Sequence, residues 1–254
     1  MKKRILTGTG VKSIVPTLND GSFNPESVSI HLDKLISSGI DFIVLEIPHN
    51  GRLDDIFVRE QVITKYSSCL NNRIPLVYHC DINELDELIK RRALEEVDVI
   101  SVGIPNDPNI TQREIYEFYK SVVARYNKLP LLLSHDYNSS SIIAPNTCLK
   151  VMKDFELVCG IYEKGVNFDN TVSIANTVPK HYAIIADSEL YFLPLIASGV
   201  SGIVSRTANE FPDPICYSIN LALSGRFEHA RKRILGILPY MRRNMSKDVV
   251  VNYN

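Results

Sequence analysis

The feature that most constrains how this chain can fold is a series of eight short, β-branched apolar runs separated by longer amphipathic segments. The runs are Val11–Leu18, Asp41–Ile47, Ile74–Cys80, Val97–Ile104, Leu129–Asp136, Glu156–Tyr162, Tyr182–Ser188 and Ser201–Thr207. Each is nearly continuous in apolar residues, the pattern of strands buried on both faces of a parallel sheet. The intervening segments carry helix punctuation. Asn24 is placed to cap a helix, with Pro25 at its first position and Glu26 at its positive end, and Gly39 stops it. Further helices are expected at "VREQVITKYSSCL", "NELDELIKRRAL", "TQREIYEFYKSVVARY", "NTCLKVMKDF", "DNTVSIANTV", "YFLPLIAS" and "DPICYSINLALSG".

Eight strand–helix alternations in 254 residues predict an α/β fold of the (β/α)8 TIM-barrel type. An open doubly wound sheet is the competing architecture, since periodicity does not show closure. No Gly-rich dinucleotide fingerprint or P-loop follows the first strand. No linker or composition break divides the chain. It is therefore expected to form one barrel domain over residues 1–254, with 213–254 as a helical C-terminal part.

Composition narrows the partners. Lys and Arg number 28 against 29 Asp and Glu, so there is no basic excess to hold nucleic acid or an anionic membrane. The five cysteines are scattered, odd in number and without a C-x-x-C pair. That fits a reducing cytoplasm rather than a disulfide framework or a structural zinc site. The start "MKKRILTGTG" has too short an apolar run for a signal-peptide core, and no stretch reaches the roughly 18 apolar residues of a membrane span. The expected partner is a small molecule.

In such a barrel the active site is built at the C-terminal ends of the strands. Those ends offer Glu46, His49, Asn50 and Arg52 after the second run, and His79 at the third. They offer Ser134, His135, Asp136 and Tyr137 at the fifth, Tyr162, Glu163 and Lys164 at the sixth, Asp187 at the seventh and Arg206 at the eighth. His135 and Asp136, beside Tyr137, are candidates for acid/base work, because a carboxylate can tune an imidazole. Arg52 and Arg206 could each hold a carboxylate in a bidentate fork. Three of the six histidines fall at the same end of three strands, but no H-x-H or H-x-x-x-H spacing supports a metal site, and neither metal nor cofactor is expected.

Two long segments resemble the pyruvate-dependent aldolases typified by dihydrodipicolinate synthase and N-acetylneuraminate lyase. "IASGVSGIVSRTANEFP" (Ile196–Pro212) with "ALSGRFEHARK" is similar to that family's eighth strand and the helices after it, and "VPTLNDGSFNPESVSIHLDKLISSGIDFIVL" (Val15–Leu45) to its opening. The resemblance implies a (β/α)8 barrel followed by a C-terminal helical extension, here shortened, and a homodimer or homotetramer. Family members form an imine between a substrate keto group and a lysine at the end of strand six. Here that stretch reads Gly160-Ile161-Tyr162-Glu163, so Tyr162 holds the lysine position. The family's carboxylate-binding Gly-Thr-Thr-Gly-Glu loop corresponds to Pro48-His49-Asn50-Gly51-Arg52, and its strand-five tyrosine to Ser134.

A phenol cannot form an iminium ion. Lys164 lies two residues beyond Tyr162, on the same side of a continuing strand and about 6–7 Å further along. Gly165 suggests instead that the strand has ended and that Lys164 is a solvated loop residue. Three functions remain open at this point. One is a carbon–carbon lyase using Lys164 or a metal. The second is altered chemistry on Tyr162, His135 and Asp136, and the third is a non-catalytic barrel that binds a small carboxylate or sugar acid. The aldolase-type ligand-binding scaffold without an imine at residue 162 is the reading carried forward.

Overall fold

A computed structural model describes residues 6–49, 51–80, 82–165 and 167–245. Eight parallel strands close into a barrel in chain order: β1 (Gly8–Ser13), β2 (Phe42–Leu45), β3 (Leu76–Cys80), β4 (Val99–Gly103), β5 (Leu131–Asp136), β6 (Val158–Lys164), β7 (Ala183–Ala186) and β8 (Gly202–Ser205). Helices α1 (Glu26–Ser37), α2 (Ile56–Leu70), α3 (Ile82–Lys90), α4 (Gln112–Arg125), α5 (Pro145–Asp154), α6 (Phe168–Thr177), α7 (Phe192–Ala197) and α8 (Pro212–Leu223) follow the strands in turn. Two more, α9 (Phe227–Ile234) and α10 (Leu238–Met245), complete a C-terminal helical part.

Local chemistry sets the helix ends. Asp55 accepts the Phe57 N–H at 2.8 Å and opens α2, and Thr111 with Glu114 forms a reciprocal capping box at the start of α4. Helix α1 begins one residue later than expected, with Pro25 as its cap. It ends where Gly39 (φ +88°) lets the chain turn back, the Ile40 N–H reaching the Leu35 carbonyl.

The strand alternation divides the core in two. Phe42, Val44, Val77, Val99, Leu132, Tyr162, Ala183, Ile185 and Val204 pack inside the barrel. The alternate residues, such as Ile43, Leu45, Tyr78, Ile100, Leu133 and Ile161, pack outward beneath the helices. The lumen is narrow enough that its smallest positions are fixed. A Cβ on Gly10 would sit 2.2 Å from the Phe42 ring, and one on Gly160 would sit 2.1 Å from the Ala183 carbonyl oxygen on the neighbouring strand.

Two strand boundaries differ from the sequence expectation. β1 begins at Gly8 and ends at Ser13, because two glycines admit the close approach of Asp41 and Phe42. The stretch after it, Ile14–Leu18, leaves the sheet. β6 runs past Tyr162 to Lys164, which pairs in register with Asp136 of β5, so Lys164 is the last strand residue and not a loop residue.

The clash at Gly160 is with backbone, which cannot rotate away. Gly160→Ala is therefore expected to destabilise the barrel by about 1–3 kcal/mol, read as a lowered midpoint in chemical denaturation with an unchanged slope. An unchanged midpoint would show that β6 and β7 can separate without cost.

Candidate functional site

The period of two that sends Phe42, Val77, Leu132, Tyr162, Ile185 and Val204 into the lumen also sends in the next inward residue of each strand at the C-terminal end. These are Glu46, His79, Asp136, Lys164, Asp187 and Arg206, and β1 adds Lys12. Seven of the eight strands thus contribute an ionisable group to one layer across the barrel mouth.

Glu46 is the centre of that layer. One carboxylate oxygen is ion-paired with Lys12 Nζ at 2.6 Å, and the other accepts a hydrogen bond from Lys164 Nζ at 3.0 Å. Lys164 Nζ also lies 3.3 Å from His79 Nε2, and His79 Nδ1 is 3.1 Å from the Ser101 hydroxyl of β4. Burial alone would push the Glu46 carboxyl up, but His79, Lys12 and Lys164 outweigh it and hold the group well below the usual carboxylate range. Burial pushes Lys12 the other way, below the usual lysine range, with Arg206 and Lys164 adding to the effect against the attraction of Glu46. Asp187 accepts the Gly165 N–H at 2.7 Å; burial raises its carboxyl above the usual range.

Directly below lie two hydroxyls. Ser134 and Tyr162 are paired across β5 and β6, both fully buried, and neither the Ser134 Oγ nor the Tyr162 Oη has a hydrogen-bond partner among the described residues. The Tyr162 ring stands edge-on to His79 with centroids 5.8 Å apart. Burial, and then Asp187, raise its phenol far above the ordinary tyrosine range, so it stays protonated and can donate. The half-buried Arg206 makes no side-chain hydrogen bond or ion pair among the described residues. Its charge is felt by Lys12, Tyr162, Asp187 and Glu189.

The structure separates His135 from Asp136. Asp136 faces the lumen, where its Oδ1 accepts from the Asn138 backbone and side-chain amides, while His135 points outward beneath the helices. There the His135 Nδ1 accepts the Ile143 N–H at 2.9 Å, which leaves its proton on Nε2, 3.6 Å from Glu163. Glu163, also outward, accepts from the Tyr137 hydroxyl at 2.9 Å. His135 and Tyr137 thus belong to a polar network behind the sheet, with Glu163, Thr171 and Asn170.

The loop after β2 also lies apart from the charged layer. His49 is engaged by protein: its Nδ1 meets Arg59 at 2.9 Å and Asp54 at 3.3 Å. Arg59, itself buried, donates to the Ile47 and Pro48 carbonyls and pairs with Glu84 at 2.9 Å. Arg52 pairs with Asp20 at 3.0 Å with its side chain 65% exposed. Asn50 lies outside the described residues. The three strand-end histidines do not converge, and among the described residues no three His, Cys, Asp or Glu side chains are grouped to hold a metal ion. None of the described helices is long and apolar enough to cross a membrane.

The sequence does not single out Lys12, because the apolar run Val11–Leu18 places the end of the first strand beyond it. The available signal was a lone lysine inside an apolar run, "GVKSIV". A charge on a strand buried on both faces needs a partner in the lumen.

The sequence model of the Dihydrodipicolinate synthetase family matches residues 6–252. The chain is 28% identical over 240 residues to a 4-hydroxy-tetrahydrodipicolinate synthase of Azobacteroides pseudotrichonymphae, covering 91% of this chain and 79% of that one. Its fold is similar to the structure of the 4-hydroxy-tetrahydrodipicolinate synthase from Methylacidiphilum fumariolicum SolV, with a TM-score of 0.85, 22% identity, and 96% and 82% of the two chains covered. It is also similar in fold to a prophage protein of the same family from E. coli K12, solved in complex with pyruvate, with a TM-score of 0.83, 15% identity, and 96% and 84% covered.

The network behind the sheet has a pH signature. Burial pushes the Glu163 carboxyl up to about 7 and the His135 imidazole down to about 4. Glu163 favours the folded state while protonated, so its contribution is present at low pH and is lost as pH rises from about 4.5 to about 7. His135 favours it while neutral, so its contribution is present above about pH 6.5 and is lost as pH falls towards about 4. The two slopes oppose each other. Glu163→Gln should leave stability rising from about pH 4 to 6.5, and His135→Gln should leave it falling from about pH 4.5 to 7, both read by denaturant midpoints across pH. Identical profiles for the two variants would refute this assignment.

Proposed function

The chain belongs to the dihydrodipicolinate synthetase family, and on that aldolase scaffold we propose that it binds a small 2-keto acid or sugar acid at the C-terminal mouth of the barrel, with no imine at residue 162. The observation that carries this reading is Arg206. Its guanidinium is half-buried at the mouth and unpaired among the described residues, a poor state for a fixed charge unless an anion completes it.

A carboxylate on Arg206 lies in a pocket whose remaining demands suit a keto or hydroxyl oxygen. Ser134 and the protonated Tyr162 are buried hydroxyls without partners in the lumen, one layer below. Ligand oxygens there would satisfy groups whose burial otherwise costs about 1–3 kcal/mol each. The pyruvate held by the E. coli family member supports the ligand class. Tyr162 serves as a hydrogen-bond donor and not as a nucleophile, since a phenol has no nitrogen with which to form an imine. His135, turned to the outer face, and His49, held by Arg59 and Asp54, support the protein around the mouth. The reaction class favoured by the scaffold is carbon–carbon bond cleavage or formation next to a keto group.

Isothermal titration with pyruvate and a panel of 2-keto sugar acids tests this. At least one acid should bind, and Arg206→Met should weaken it by about ten- to a hundredfold, the loss of a charge-assisted hydrogen bond worth about 1.5–3 kcal/mol. Absence of binding by every acid, or unchanged affinity in the variant, overturns the proposal.

A further inference from the structure

We propose that Lys12, on β1, is the amine that forms an imine with the bound keto acid. This inference rests on the ligand reading above. It assigns the covalent step to the opposite side of the barrel from residue 162, and to a lysine other than Lys164.

Position is the first argument. β1 is hydrogen-bonded to β8, with Val11 opposite Ser205, so the residues that follow, Lys12 and Arg206, stand side by side at the mouth. Neighbouring strands are about 4.8 Å apart. In a 2-keto acid the keto carbon is bonded directly to the carboxylate carbon, so an acid anchored on Arg206 presents its keto carbon to the nearest lysine. That lysine is Lys12. Lys164 begins on β6, two strands from β8, and its Nζ is turned across the lumen to Glu46 and His79.

Rigidity is the second. Lys12 lies within a strand paired on both sides, in register with Val44 of β2, whereas Lys164 is the last residue of its strand and precedes Gly165 (φ +80°). A nucleophile held within a strand keeps its attack geometry without ordering a loop. Electrostatics point the same way. Burial, with Arg206 and Lys164 adding to it against the attraction of Glu46, lowers Lys12 below the usual lysine range, which eases loss of its proton to give the free amine.

The step balances without an added co-reactant. The ammonium gives one proton to the oxygens of Glu46, 2.6 Å away, and the free amine attacks the keto carbon. A C–N bond forms as the C=O π pair moves to oxygen. That oxygen collects two of the three ammonium protons, the second from nitrogen by way of Glu46, and leaves as water. The nitrogen keeps the third proton as an iminium ion. The positive charge is conserved overall, so the iminium restores a cation beside Glu46 once the proton has been passed on, and that iminium is the electron sink that carbon–carbon cleavage needs. Lys164 holds the second Glu46 oxygen, with His79 against its amine, and both act as positioning residues.

The test is borohydride reduction of the full chain with pyruvate, followed by peptide mass mapping, with calorimetry of pyruvate binding alongside. A reduced adduct should appear on Lys12, remain on Lys12 in Lys164→Met, and disappear in both Lys12→Met and Lys12→Arg. Lys12→Arg keeps the buried charge beside Glu46, so its fold, followed by circular dichroism, should survive, whereas Lys12→Met leaves that Glu46 oxygen without its cation. Binding with the adduct on Lys164, or binding with no adduct, overturns the assignment to Lys12 and leaves the ligand reading intact. No binding of pyruvate and no adduct overturns the assignment for pyruvate, and the 2-keto acid panel then decides the ligand reading separately.

Discussion

Closing eight parallel strands on themselves leaves each strand side chain only two destinations, the lumen or the layer beneath the helices. Everything at the mouth of this barrel follows from that constraint. Lys12, Glu46, His79, Asp136, Lys164, Asp187 and Arg206 meet because each is in phase with an inward apolar residue two or, for Asp136, four positions earlier on its strand, or, on β1, with Gly10. His135 and Glu163 are one residue out of phase, and so they are buried against helices instead, beyond the reach of a ligand in the lumen.

The charges in the lumen compensate one another locally. A single carboxylate, Glu46, is shared by two lysines from opposite sides of the barrel, while Arg206 is without a carboxylate of its own. Isolated ions at this depth would cost several kcal/mol each, so the arrangement is stable only as a set. On the proposed reading, an anionic guest completes Arg206, which no carboxylate contacts among the described residues. The proposed imine chemistry keeps that balance, because ammonium and iminium carry the same charge.

The architecture was legible in the sequence because burial on both faces writes itself as eight continuous apolar runs, and the family resemblance rested on long segments at α1–β2 and β8–α9. The site was legible only where a strand end was correctly placed. Lys164 was found by counting two residues past Tyr162, and its place within β6 follows from its register with Asp136. Lys12 was hidden because the glycines at 8 and 10 look like turn residues, although here they admit Asp41 and Phe42 and so belong to the strand. The separation of His135 from Asp136 could be read in principle, since adjacent strand residues must face opposite ways. Whether His49 would meet a ligand or Arg59 could not be read, because Arg59 lies on a helix ten residues further on.

That arginine has an evolutionary consequence. Arg59 of α2 grips the carbonyls of Ile47 and Pro48 and the ring of His49, and is itself anchored by Glu84. The path of the loop after β2 is therefore held through its backbone carbonyls by a side chain of the helix that follows it. A loop shaped in this way can exchange its side chains without losing its course.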